Sequence, residues 1–209
     1  MATPVPATRR RFLQIAGTSA AAGGALALTA CGDDDDGTAS TTSTQKSSAM
    51  MGGDVAILNY ALTLEYLESQ FYADVIGAGV LKGKELDLAK QFGETEDAHV
   101  DTLKGTIEKL GGKPVAQPKA KFPLESRDAV LKLAATVENL GAAAYLGKAG
   151  EIESEEVLAA ALAIHAVEAR HAATLNQVLG MTVTPDGAFA QPASEAEVLE
   201  AVKPFLTTS

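Results

Sequence analysis

The sequence has a single cysteine, Cys31. It therefore carries no intramolecular disulfide, and the chain beyond residue 31 offers no thiolate site for zinc or an iron–sulfur cluster. Positive charge is also scarce: 17 lysines and arginines against 27 acidic residues leave a net charge of −10 at pH 7. Nucleic acid is not expected as a partner, because phosphates call for a basic surface. There is no phosphate-binding glycine loop, no dinucleotide fingerprint and no serine on a nucleophile elbow. Histidine occurs only three times. Two of the three stand in matching contexts.

The N-terminus reads as an address. Thr8-Arg9-Arg10-Arg11-Phe12-Leu13-Gln14 resembles a twin-arginine export signal, and Ile15 to Ala30 follows as a weakly apolar segment too rich in glycine for a good transmembrane helix. Leu28-Thr29-Ala30-Cys31 resembles a lipobox, which implies lipidation of Cys31 and cleavage in front of it. Residues 1–31 are thus expected to be a lipoprotein signal, leaving the protein exported and anchored to the outer face of the cytoplasmic membrane. An uncleaved N-terminal membrane helix is the plainer alternative and gives the same address. Residues 32–52, mostly Asp, Gly, Ser and Thr, read as a disordered tether, with the Asp33–Asp36 run simply solvated.

Residues 53–209 form one domain with helical periodicity throughout. A first helix is expected from Asp54, as N-cap, to Ile76, with Leu58, Ala61, Leu62, Glu65 and Tyr72 on one face. A second runs from Lys84 to Leu110 with Phe92, Glu96, His99, Leu103 and Ile107 in line. A third covers Arg127 to Leu146 with Leu131, Ala134, Glu138 and Tyr145. The fourth opens at Ser154 and ends at Gly180, carrying Ala161, Ile164, Glu168, His171, Leu175 and Val178. Short connections at 77–83 and 147–153 pair helices 1 with 2 and 3 with 4 as antiparallel neighbours. The proline-bearing stretch 112–126 is long enough to cross the bundle. Ser194-Glu195-Ala196-Glu197 predicts a capping box opening a short C-terminal helix that serves packing.

The two halves repeat each other. Glu96-x-x-His99 and Glu168-x-x-His171 both continue into Thr-Leu, and Glu65 and Glu138 each begin Glu-x-Leu with a tyrosine seven residues on, Tyr72 and Tyr145. On a helix, Glu and His three residues apart share a face, about 4.5 Å apart along the axis. In every helix the Glu or His falls within the apolar stripe. Four carboxylates at mid-depth cannot all stay ionised without compensation, and no lysine or arginine lies on these stripes. Two divalent cations would balance four carboxylates, and a mixed oxygen and nitrogen donor set suits Fe, Mn or Zn better than Ca or Mg.

Glu65, Glu96, His99, Glu138, Glu168 and His171 match the di-metal carboxylate pattern of the ferritin-like superfamily. Asn59 to Glu68 and Val167 to His171 further resemble exported bacterial ferritin-like proteins related to desiccation-associated proteins, and the resemblance covers Asp54 to Phe205. It implies an all-α, ferritin-like antiparallel four-helix bundle with a long crossover between helices 2 and 3. It also implies that Glu65 and His99 hold one metal and Glu138 and His171 the other, with Glu96 and Glu168 bridging. Iron is the first expectation and manganese the second. The implied activity is an O2- or H2O2-dependent di-iron oxidase or peroxidase, or a dimanganese catalase-like enzyme. The alternative is a non-catalytic bundle that protects against desiccation or other stress.

By the same resemblance, Tyr72 and Tyr145 hydrogen-bond ligand carboxylates. His165 is expected as a hydrogen-bonded core histidine rather than a ligand, and Glu68, a turn beyond Glu65, as a residue beside the site or at an interface. Glu94 should face solvent. Leu64, Leu67 and Phe71 beside the ligand face exceed what one core needs, which suggests a homodimer through that flank.

Overall fold

The computed structural model describes residues 40–207, with side chains from residue 53 onward. The twin-arginine segment, the lipobox with Cys31 and the first part of the expected tether lie outside the described residues. Five α-helices follow: α1 (Ser40–Ala78), α2 (Lys84–Lys109), α3 (Arg127–Lys148), α4 (Glu155–Val178) and α5 (Glu195–Val202). Single 3-10 turns occur at Ala149–Glu151 and Lys203–Phe205. None of the described helices is long and apolar enough to cross a membrane.

The start of α1 corrects the sequence reading. Residues 40–52 were expected as part of the tether, but α1 extends upstream through them. Nothing between Ser40 and Met51 is proline or glycine, and lengthening an existing helix costs far less than nucleating one. Asp54 is therefore not the N-cap of α1. It is buried inside the helix, and its two carboxylate oxygens accept the backbone N–H groups of Glu153 at 3.0 Å and Ser154 at 2.9 Å. A cap expected for one helix serves the entry to another.

The other ends follow local chemistry. Ser126 and Ser154 cap α3 and α4, their hydroxyls accepting from Ala129 N–H at 3.2 Å and Val157 N–H at 3.3 Å. Ser194 and Glu197 form the reciprocal capping box that opens α5. Both α2 and α4 close with a left-handed glycine, Gly111 (φ 76°) and Gly180 (φ 71°). The next N–H then donates five residues back, Gly112 to Ile107 at 2.9 Å and Met181 to Asn176 at 2.8 Å.

Side-chain contacts fix the topology. The buried Asp54 joins the lower part of α1 to the start of α4, and Lys109 at the end of α2 meets Glu156 near the start of α4 at 2.6 Å. At the other end, Arg127 opening α3 pairs with Glu85 in the first turn of α2. Helices α2 and α3 thus start together and run parallel, while α1 and α4 run the opposite way. The connection between α2 and α3 makes this arrangement by climbing α1. Lys113 and Val115 are held by Asn59, and the Ala120 carbonyl by Gln70, about three helical turns further along. Beside it the C-terminus adds a short antiparallel pairing, with Lys121 N–H donating to Phe205 O at 2.8 Å and Thr207 N–H to Lys119 O at 2.9 Å.

The apolar core is split in two. One cluster holds Leu67, Phe71, Tyr72, Phe92, Leu131, Leu175 and Val198, and the other holds Leu58, Leu62, Leu103, Ile107, Val157 and Ile164. On α2 and α4 the boundary between them falls at Glu96 and Glu168. The flank that suggested a homodimer is covered within the chain. Leu64, Leu67 and Phe71 are buried, Phe122 of the crossover packs edge-on against Phe71 at 5.2 Å, and Val198 and Val202 of α5 belong to the same cluster. That flank gives no reason for a second copy.

Candidate metal centre

Each half of the chain delivers three side chains to the layer between the apolar clusters. Glu65 comes from α1, Glu96 and His99 from α2, Glu138 from α3, and Glu168 and His171 from α4. All four glutamates are completely buried, and the histidines are 8% and 6% exposed. His99 Nδ1 lies 2.8 Å from Glu96 Oε2, 3.3 Å from Glu65 Oε2 and 3.3 Å from Glu168 Oε1. His171 Nδ1 lies 3.0 Å from Glu96 Oε1 and 3.2 Å from Glu138 Oε2.

These atoms form two overlapping groups that could hold metal ions. Glu65, Glu96, His99 and Glu168 bring one donor atom each to within 4.8 Å of one another, and Glu96, Glu138, Glu168 and His171 do the same. Glu96 and Glu168 belong to both. Part of their donor capacity is unused. Glu96 Oε1 and both oxygens of Glu168 are buried without a hydrogen bond, the two that lie near an imidazole lacking hydrogen-bond geometry. A buried carboxylate oxygen without a donor is costly, and a cation is the partner that relieves it. Four carboxylates and two imidazoles, with the free oxygens on the shared residues, fit a divalent metal.

The tyrosines are wired across the halves. Tyr72 of α1 donates its hydroxyl to Glu138 Oε1 on α3, and Tyr145 of α3 donates to Glu65 Oε1 on α1 at 2.5 Å. Each tyrosine thus holds the carboxylate of the opposite half. The Phe92 ring stacks on the His171 imidazole with centroids 3.9 Å apart and planes 22° apart, and meets Tyr72 edge-on at 5.9 Å. That stack sets the plane of the imidazole.

A family model described as Ferritin-like domain matches residues 53–181. The chain belongs to the ferritin-like domain family. Among solved structures, it resembles a conserved hypothetical protein from Mycobacterium tuberculosis at TM-score 0.56 and 20% identity, over 69% of this chain and 98% of that one. A hypothetical protein from Methanococcus jannaschii matches at TM-score 0.51 and 17% identity, over 71% of this chain and 91% of that one. Both likenesses concern the fold. No curated protein matches the chain. Helix α5 lies beyond the residues the ferritin-like model covers.

Electrostatics divide the six residues of this ferritin-like site. Burial opposes charge on all of them. It raises Glu65 to about 7, against the hydrogen bond from His99, with the Glu96 charge adding to the rise. Burial also raises Glu138 and pushes Glu168 well above the carboxylate range. Glu96 goes the other way: burial is outweighed by the adjacent imidazoles of His171 and His99, which bring it down to about 2. Burial likewise works against the imidazolium of His99, but Glu168, Glu65 and Glu96 together raise it to about 12. His171, held by Glu138 and Glu96 against the same burial cost, sits at about 9. Without metal the layer is a proton-holding network in which imidazolium ions stand in for the cations.

His165 stays out of this cluster, its Nδ1 lying 2.9 Å from the Ala142 carbonyl as a donor. Glu94 is exposed. Of three further features, two escaped the sequence reading and one, Glu68, was expected beside the site or at an interface. Phe92 reads as one more apolar residue of the stripe, and only its stacking sets it apart. Glu68 is 5% exposed, one of its oxygens has no partner, and burial together with Glu168 pushes its pKa well above the carboxylate range. The third is Gly141, three residues after Glu138 as Glu68 is three after Glu65. A methyl group there would stand 2.9 Å from Glu68 Oε1 and 3.0 Å from Glu168 Oε2. The repeat offset could have found this pair, since it aligns Glu68 with a glycine.

Proposed function

We propose that this is an exported, membrane-anchored ferritin-like protein that holds a pair of divalent metal ions, iron first and manganese second. Its reaction is oxidation of bound metal by O2 or H2O2, or removal of peroxide. The observation that carries this reading is the sharing of Glu96 and Glu168 between two donor groups while three of their four carboxylate oxygens lack hydrogen bonds. Glu65 and His99 would hold one ion, Glu138 and His171 the other, and Glu96 and Glu168 both. Two redox-active ions held together supply the electrons for reducing O2 or H2O2.

The chain's own residues do the rest. Tyr72 and Tyr145 fix the terminal carboxylates Glu138 and Glu65, and Phe92 fixes the His171 ring. The apolar clusters above and below exclude bulk water from the layer. Lipidation at Cys31 would hold the domain at the membrane, and twin-arginine export, which carries folded proteins, would allow metal loading before release.

The test is metal content per chain after anaerobic loading with Fe(II) or Mn(II), measured by plasma mass spectrometry on the full chain. About two metals per chain are expected, as two overlapping donor groups imply, with loss of both in a Glu96→Ala/Glu168→Ala variant. A folded wild type that binds none would overturn the metal reading and leave a protective bundle. Stoichiometric binding without turnover of O2 or H2O2 would leave the site and remove the enzyme. For the anchor, Cys31→Ser should move the protein from the membrane fraction to the soluble one.

A further inference from the structure

Two clefts open between α1 and α3, one on each side of Leu64. The first is lined by Ile57, Tyr60, Ala61, Tyr145, Lys148 and Ile152. A cation entering it would meet the Lys148 ammonium. The second is narrow and apolar. Its walls are Leu67, Phe122, Val137, Leu140, Val202 and Phe205, and Glu68 is the one charged residue that lines it. Gly141 also lines it, and a methyl group there would crowd Glu68 Oε1 at 2.9 Å and Glu168 Oε2 at 3.0 Å, so the glycine lets the two carboxylates come close together. Both Glu68 Oε2 and Glu168 Oε2 are buried and without hydrogen bonds.

Burying a carboxyl group without a partner in an apolar cleft is costly, and a divalent cation is able to pair with it. No cationic side chain lines this cleft to compete for it. The Glu68 counterpart in the second half is a glycine, whose missing side chain leaves room for the Glu68 carboxylate beside the unused oxygen of a shared ligand.

On the reading that the six residues bind divalent metal, we propose that Glu68 is the entry ligand. A divalent cation comes in through the Leu67–Phe122–Leu140–Phe205 cleft, exchanges water for the Glu68 carboxylate, and passes over Gly141 to Glu168. Glu68 is then a transit group whose contribution is to the rate of loading, and its removal leaves the final occupancy intact.

The experiment follows Co(II) uptake by the full chain in stopped flow, using the visible absorption of bound cobalt, alongside equilibrium metal content. Glu68→Gln keeps the shape of the side chain and replaces the carboxylate ligand with a weak amide donor. It should load at least about tenfold more slowly than wild type, with the same cobalt content at equilibrium. Exposed Glu94→Gln serves as the control and should load at the wild-type rate. Melting without metal reports folding, and Glu68→Gln should melt no lower than wild type because it removes an unpaired buried acid. Loading of Glu68→Gln at the wild-type rate would overturn the proposal. So would a fall in its equilibrium cobalt content, which would make Glu68 a permanent ligand. A wild type that takes up no cobalt would sink the metal reading itself, and the entry role with it.

Discussion

The two halves of the bundle carry the same pattern of one Glu and one Glu-x-x-His and differ in what surrounds it. The α1–α2 half has Glu68 and a first helix that runs upstream of the domain. The α3–α4 half has Gly141 at the equivalent place and a third helix capped by its own Ser126. The repeated residues make two groups of donors, and the unrepeated Glu68 stands beside them on one side only. Asp54 shows the same division of labour. Since α1 needs no cap there, its carboxylate is free to hold the start of α4.

The strongest way to break the comparison is to strike the residues both donor groups share. Replacing Glu96 and Glu168 together should abolish binding at both, whereas Glu65→Ala or Glu138→Ala alone should lose about one metal per chain, as expected if each serves a single ion. Equal loss of both metals in the single variants would mean that the layer works as one indivisible site.

Next in size is the effect of pH without metal. Glu65, raised to about 7, contributes stability that is fully present below its unfolded value near 4.5 and is lost as pH rises through about 7. His171 and His99, raised to about 9 and 12, contribute stability fully present below 6.5 and lost as pH rises through those values. Glu96, lowered to about 2, contributes above 4.5 and loses its share only as pH falls through 2. Between pH 5 and pH 9 only losses occur, so the metal-free protein should melt at a lower temperature at pH 9. Metal should reverse that trend, because it replaces the protons of the network. Thermal melts at the two pH values, with and without Mn(II), check both signs.

The crossed tyrosines sharpen the comparison. Tyr72→Phe should weaken binding in the Glu138–His171 group and Tyr145→Phe in the Glu65–His99 group, each by about tenfold or more. Binding isotherms of either variant should resolve one weakened site and one intact site, and the weakened site should lie in the half opposite the mutation. Gly141→Ala is expected to cost about 1–3 kcal/mol by pushing its methyl group into Glu68 and Glu168. In a Glu68→Ala background that cost should shrink, a coupling that chemical denaturation in a double-mutant cycle would read directly. The smallest effect belongs to Asp54→Ala, at about 1–2 kcal/mol for two buried backbone N–H groups left without their acceptor.

Much of the site is legible in the sequence because helices translate spacing into direction. Glu at i and His at i+3 share a face, and a Glu within an apolar stripe has to enter the core. The serine caps and the Ser194–Glu197 box are equally local. What periodicity conveys is the side of a helix, with no information on which helix lies opposite. The seven-residue spacing placed Tyr72 in line with Glu65, yet its hydroxyl reaches Glu138, because a tyrosine two turns along lies beyond its own Glu and nearer the neighbouring helix. Leu64, Leu67 and Phe71 looked like spare apolar surface since their covers, Phe122 and α5, lie far away in the chain.

By itself, then, the sequence determined the helices, most of their ends, and the six side chains that meet in the middle, all consequences of spacing within a few turns. Only the tertiary structure decided that the tyrosines cross between halves, that Asp54 holds the entry to a helix about a hundred residues away, and that Glu68 packs against a glycine beside Glu168. Each of those depends on the packing of one helix against another, and contacts between residues distant in the chain leave no period in the sequence.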